Sequence, residues 1–112
     1  MENILAQMIR AAFLENAVAR QDLTNGRQLL VYPMGSAALI GLGRSAGESS
    51  AGWLEDLLRR RSGDMPRMGA WLPAMLADGS VYVLRRIAGI DPGGDTAPLS
   101  AEDLHAAEEL LS

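Results

Sequence analysis

Cysteine is absent from this 112-residue chain, and so is lysine. Without thiols there is no disulfide scaffold, no thiolate metal site and no cysteine nucleophile, and a reducing cytoplasm is permitted. All ten basic residues are Arg, which high-GC coding explains better than Arg-specific chemistry. Histidine occurs once, as His105, beside Glu102, Glu108 and Glu109. A metal site needs three or four ligands in fixed geometry, and a hydrated surface histidine accounts for this one. None of the eight serines sits in a G-x-S-x-G elbow. No apolar run approaches the roughly 18–20 residues that span a bilayer, so no membrane span is expected. Met1-Glu2-Asn3 carries an acid and no basic stretch, so no secretory leader is expected.

What is present describes one ordered domain over residues 1–112. The chain is 48% hydrophobic and 21% charged with a net charge of −4, a balance that favours a packed core over disorder. The charge is divided. Residues 57–90 hold six Arg against Asp64 and Asp78, a local +4, whereas residues 91–112 hold six acids and no Arg. A dedicated nucleic-acid binder would be basic overall, so no nucleic-acid partner is expected. The Arg59–Arg61 run reads as a solvated helix C-terminus.

Apolar spacing predicts a helix over about residues 2–20, carrying Ile4, Leu5, Met8, Ile9, Ala12 and Phe13 on one stripe. Strands follow at Gln28–Tyr32 and Ala37–Leu42, with Pro33-Met34-Gly35-Ser36 as their turn. Val18–Leu23 has too little pattern to assign as a strand. After a Gly/Ser-rich loop at Gly43–Ser50, Ser49 or Ser50 caps a helix over about 51–61, with Gly63 as its C′ residue. Residues 64–69 read as a loop. A hairpin at Ala70–Ile87 and a helix at Leu99–Leu111, capped by Ser100 and Asp103, complete the chain. The fold class is α+β: a small antiparallel sheet flanked by helices, in the order α-β-β-α-β-β-α.

Within the hairpin, Asp78-Gly79 suits a two-residue type I′ turn, which needs positive φ at both positions. That turn sets Trp71 opposite Arg86, close enough to stack, and Met75 opposite Tyr82. Both hairpin faces are then mostly apolar, more than so short a chain covers by itself. Pro73 places Ala70–Leu76 at a sheet edge, and an apolar edge invites pairing. The chain is therefore expected to dimerise through Trp71 and Met75 together with Trp53, Leu54, Leu57 and Leu58 of the middle helix. A partner segment is expected to lie extended over the first strands, with Leu29, Val31, Leu39 and Ile40 as its candidate contacts.

Other motifs carry less. Gly41-Leu-Gly43-Arg-Ser-Ala46 fits a G-x-G-x-x-A dinucleotide fingerprint, but the following helix opens too late to meet a pyrophosphate. A loop accounts for it better. Glu55 and Asp56 diverge by about 100° on a helix and cannot act as an acid/base pair. No catalytic residue, cofactor or metal is expected.

The stretch ADGSVYVLRRIAGIDPG, followed by LSAEDLHAAEELL, resembles the C-terminal β-β-α of class I type III secretion chaperones, the CesT/SycE/YscB-like family. The earlier helices and strands follow in that family's order. The resemblance implies a small acidic cytoplasmic dimer, paired with itself or with a related chaperone. It would keep an extended segment of a secreted effector or secretion-apparatus protein competent for secretion, a virulence-associated role. A roadblock/profilin-like domain regulating a small GTPase is the main alternative, and a small enzyme using the Gly41–Ala46 loop is a third.

Overall fold

In the computed structural model, which describes residues 2–23, 26–44, 52–91 and 98–111, the class is α+β: a five-stranded antiparallel sheet and four helices. Helix α1 spans Glu2–Glu15 and buries Leu5, Met8, Ile9 and Ala12. It ends earlier than the apolar spacing predicts. Asn16 takes a left-handed φ of 50° and the Ala17 N–H returns to the Ala12 carbonyl at 3.0 Å, closing the helix as a Schellman motif.

The released chain forms strand β1, Ala19–Asp22, against β2, Arg27–Met34. This strand adds to the expected order. Its sequence, Ala-Arg-Gln-Asp, shows no apolar alternation because an edge strand with little burial does not need one. Strands β2 and β3 (Ala37–Arg44) run longer than expected, because Pro33 and Met34 pair with Ala38 and Ala37 and leave only Gly35-Ser36 as the turn. Gly35, at φ +65°, supplies the turn's left-handed residue.

Helix α2 spans Trp53–Gly63 and is followed by a single helical turn, α3, Met65–Met68, where a loop was expected. Gly63 is helical and Asp64 is the cap, so the C′ reading of Gly63 does not hold. The expected caps Ser49 and Ser50 lie outside the described residues. Strands β4 (Leu72–Met75) and β5 (Val81–Ile87) give the sheet order β1-β2-β3-β5-β4. Pro73 is on an edge strand, as its missing N–H requires.

The β4–β5 register differs from the expected one by a residue. Leu72 pairs with Leu84 and Met75 with Val81. The Leu76 N–H donates to the Ser80 carbonyl at 2.9 Å and the Gly79 N–H to the Leu76 carbonyl at 2.9 Å. The loop is therefore Ala77-Asp78-Gly79. Only Gly79 is left-handed, at φ +85°; a type I turn closed by one left-handed glycine replaces the type I′ turn. The Asp78 carboxylate accepts from the Ser80 amide at 2.9 Å and from its hydroxyl, which lowers its pKa and holds the three-residue form. A one-residue slip exchanges faces. Val81 and Val83 turn inward, Tyr82 and Leu84 turn outward, and Trp71 meets Arg85 at 5.9 Å rather than Arg86.

Helix α4, Ala101–Leu111, begins with the expected capping box. The Asp103 N–H donates to Ser100 Oγ at 3.2 Å, and the Ser100 N–H donates to the Asp103 carboxylate at 3.1 Å. At its other end, Arg44 and Arg27 donate to the Leu111 carbonyl and Arg60 to the Leu110 carbonyl. These cations suit the negative end of the helix dipole. Arg61 donates to the Trp71 and Gly69 carbonyls, both at 2.8 Å. Of the Arg59–Arg61 run, only Arg59 points into solvent with an exposed pairing to Glu55.

Alternate residues of the strands (Leu29, Val31, Ala38, Ile40, Leu42, Val81 and Val83) join one core with the buried faces of α1, α2 and α4. All described helices of three or more turns thus serve one face of the sheet.

Candidate partner-binding surface

The other face of the sheet is assembled from the intervening residues. Across adjacent strands, Arg20, Leu30, Gly41, Leu84 and Leu72 form one row, and Tyr32, Leu39 and Arg86 form the next. Among the described residues no helix lies over it. Tyr32 is 47% exposed and Leu72 57%, while Leu30, Leu39 and Leu84 are half-buried.

One part of this face is closed by its own side chains. Tyr82 is fully buried although it belongs to no part of the helix-covered core. Its ring lies flat over Gly43, where an added Cβ would fall 2.5 Å from the ring. Leu84 leans similarly over Gly41, where a Cβ would meet Leu84 Cδ2 at 2.7 Å. The Tyr82 hydroxyl donates to Gln28 Oε1 at 2.7 Å and accepts from Arg20 at 3.0 Å. The two glycines are thus neither a phosphate-binding turn nor a loop. They lie within β3 and make a trough that Tyr82 and Leu84 fill, which is the usual meaning of glycine in a strand that another group approaches closely. Ser45 and Ala46 of that motif lie outside the described residues.

Of the expected partner contacts, Leu29, Val31 and Ile40 are fully buried beneath the helices and Leu39 alone is on the open face. Leu29, Val31 and Ile40 are corrected to core residues, because a strand's side chains alternate and only every second one faces outward. Leu30, Tyr32, Leu72 and Leu84 were not singled out from the sequence. The signal was available: once Gly41 and Gly43 are read as a trough, their row neighbours mark the outer face.

The expected dimer residues divide in the same way. Trp53, Leu57 and Trp71 are buried within the single chain. The Trp71 Nε1–H donates to the Asp103 carbonyl at 3.2 Å, whereas Trp53 lies under Arg44, 5.1 Å from its guanidinium carbon. Leu54 and Leu58 face outward from α2, and Met75 is 63% exposed on β4. The outer edge of β4 is blunted for strand pairing. The Leu76–Ser80 hydrogen bond sets the ladder phase, so Pro73 and Met75 point their backbones outward, and Pro73 has no N–H to offer.

A cleft of about 890 Å³ between α3, β5 and α4 holds Arg67, Arg85, Asp103 and His105. Most of its polar side chains are tied to one another or to Glu109 and Asp64. Arg67 bonds both Glu109 oxygens at 3.2 Å and Asp64 at 3.0 Å, Arg85 pairs with Asp103 at 3.3 Å, and His105 reaches Glu109 at 3.0 Å. The Arg67 guanidinium holds the Glu109 carboxyl below the usual glutamate range. This arrangement clamps α3 to α4. Among the described residues no group of three His, Cys, Asp or Glu side chains is placed to hold a metal ion, and no described helix is long and apolar enough to cross a membrane. Compared with protein-family models, curated proteins and solved structures, the chain matches none.

Proposed function

We propose that this protein is a non-catalytic, cytoplasmic binding protein of the type III secretion chaperone kind. In this reading it holds an apolar segment of a secreted effector or apparatus protein against the open face of its sheet. The observation that carries this is a sheet whose described helices all lie on one side, with Leu30, Tyr32, Leu39, Leu72 and Leu84 on the other. A face bearing large apolar side chains without a cover is a recognised mark of an interaction site. Strand β1 adds weight, because the family that the sequence resembles has a strand ahead of β2. Leu54 and Leu58 on α2 and Met75 on β4 are exposed as well, and such apolar side chains suit pairing with another chaperone subunit. The blunted β4 edge makes that contact one of side chains rather than of an added strand.

Client capture from the native host, repeated with Leu39→Asp and Leu58→Asp beside circular dichroism of each variant, tests the reading. Leu39→Asp is expected to lose the client while staying folded. Leu58→Asp is expected to lower the solution mass towards the 11.9 kDa of one chain. A folded Leu39→Asp protein that keeps its client would overturn the open-face reading, and recovery of a folded GTPase in its place would favour the roadblock/profilin-like alternative.

A further inference from the structure

We propose that the open face receives an amphipathic helix laid across its strands, with a carboxylate of that helix seated on Arg86; the proposal rests on the open face being the binding surface. The outer row of that face consists of Tyr32, Leu39 and Arg86 on β2, β3 and β5. Continuing the β1–β2 register by one residue sets Val18, 46% exposed, beside Tyr32. Three apolar side chains and one cation therefore stand in line, perpendicular to the strands.

For a ligand laid along that line, the spacing favours a helix over an extended segment. Neighbouring strands lie about 4.8 Å apart, so successive members of the row are separated by nearly the ~5.4 Å pitch of an α-helix. Residues three and four apart on a helix meet such a row one by one. Same-face residues of an extended segment step by about 6.6–6.8 Å and lose phase with it. The row is about 14 Å long by the same strand spacing, which nine or ten helical residues cover.

Charge decides the polarity of the far end. Of the six arginines in residues 57–90, Arg59, Arg60, Arg61, Arg67 and Arg85 each bond an acid or a backbone carbonyl. Arg86 is exposed and has no such partner among the described residues. The other charges of this face lie in the β1 strand, where Arg20 is held by the Tyr82 hydroxyl. A carboxylate one turn beyond the last apolar residue of the bound helix completes the pattern. An anchored apolar stripe ending in an acid is the feature by which the partner is recognised.

The test uses the full-length protein, ¹⁵N-labelled, and two synthetic helical peptides. Each carries leucines three and four residues apart on one face, with Glu in one peptide and Arg in the other a turn beyond the last leucine. The Glu peptide is expected to shift the amides of Val18, Tyr32, Leu39 and Arg86 and to bind about fivefold tighter than the Arg peptide, the scale of an exposed charge pair. Arg86→Glu, which leaves the core untouched, is expected to invert that order. Equal affinity for the two peptides, shifts confined to other elements, or no shift at millimolar peptide would overturn the proposal. A Glu peptide broken by proline that binds as tightly would also overturn it. That last result leaves the open-face reading standing, whereas a folded Leu39→Asp that keeps its client removes both.

Discussion

The two faces of the sheet are built from the same strands and obey different rules. On the helix side Leu29, Val31, Ile40, Leu42, Val81 and Val83 are all buried, each against side chains from another element. On the open side the alternate positions hold Gly41 and Gly43, with Tyr82 and Leu84 lying down over them. The first face is closed by bringing up helices and the second by shrinking one strand so that its neighbour's side chains recline. The recline is incomplete. Beyond Tyr82 and Leu84, Tyr32 and Arg86 of the outer row are exposed and Leu39 is half-buried, and this is where the proposed partner is expected. On the proposed reading, the partner sits where this self-cover ends.

Substitutions that break this comparison differ in size. The largest effect is expected at Ile40, on the closed face. Ile40→Ala removes a fully buried side chain and should cost about 2–5 kcal/mol in urea unfolding. Leu39→Ala, one residue along and on the open face, should cost about 1 kcal/mol or less. Comparable losses at the two positions would mean that the open face is covered.

The glycine trough offers a sharper contrast. Gly43→Ala drives a methyl group into the Tyr82 ring and should destabilise by about 1–3 kcal/mol through overpacking. Gly63→Ala, where nothing lies within 4 Å of the added Cβ and the backbone is helical, should stabilise by about 0.4–1 kcal/mol. Thermal melts of the two variants move in opposite directions if Tyr82 is seated as described.

The smallest effect concerns acid. Burial raises the Asp103 pKa, but hydrogen bonds from Ser100 and the nearby Arg85 outweigh it and leave the carboxyl below its ordinary value. A carboxyl lowered in the folded state contributes stability above the ordinary aspartate range, and that contribution is lost as the pH falls through its folded value. Asp103→Asn should therefore cost about 0.3–1 kcal/mol at pH 7, and the gap to the parent should close as the pH falls below about 3.9. A gap that is constant with pH would remove the carboxylate from the α4 cap.

Much of the helix side was legible in the sequence, because helices announce themselves by local means. Ser100 and Asp103 form their capping box within four residues, and the stripes of α1 and α4 follow a period of 3.6. The site was less legible. Val31 and Tyr32 are equally plausible strand residues, and nothing local says which of them faces inward. The β4–β5 face assignment depended on a single turn, and Asp78 declined the left-handed conformation that a two-residue loop requires. One residue of slip set Leu72 opposite Leu84 and Met75 opposite Val81, in place of Arg85 and Tyr82.

By itself, the sequence determined the class of the fold, the α4 cap, the edge position of Pro73 and the presence of surplus apolar strand surface. Those follow from near-neighbour geometry and from counting side chains. Only the tertiary structure decided where the surplus lies. Which side of each strand meets the helices depends on register, and register is set by hydrogen bonds between residues distant in sequence, as when Arg20, Gln28 and Tyr82 meet across the sheet. A strand offers two faces of equal backbone chemistry, and only the pairing of one strand with the next chooses between them.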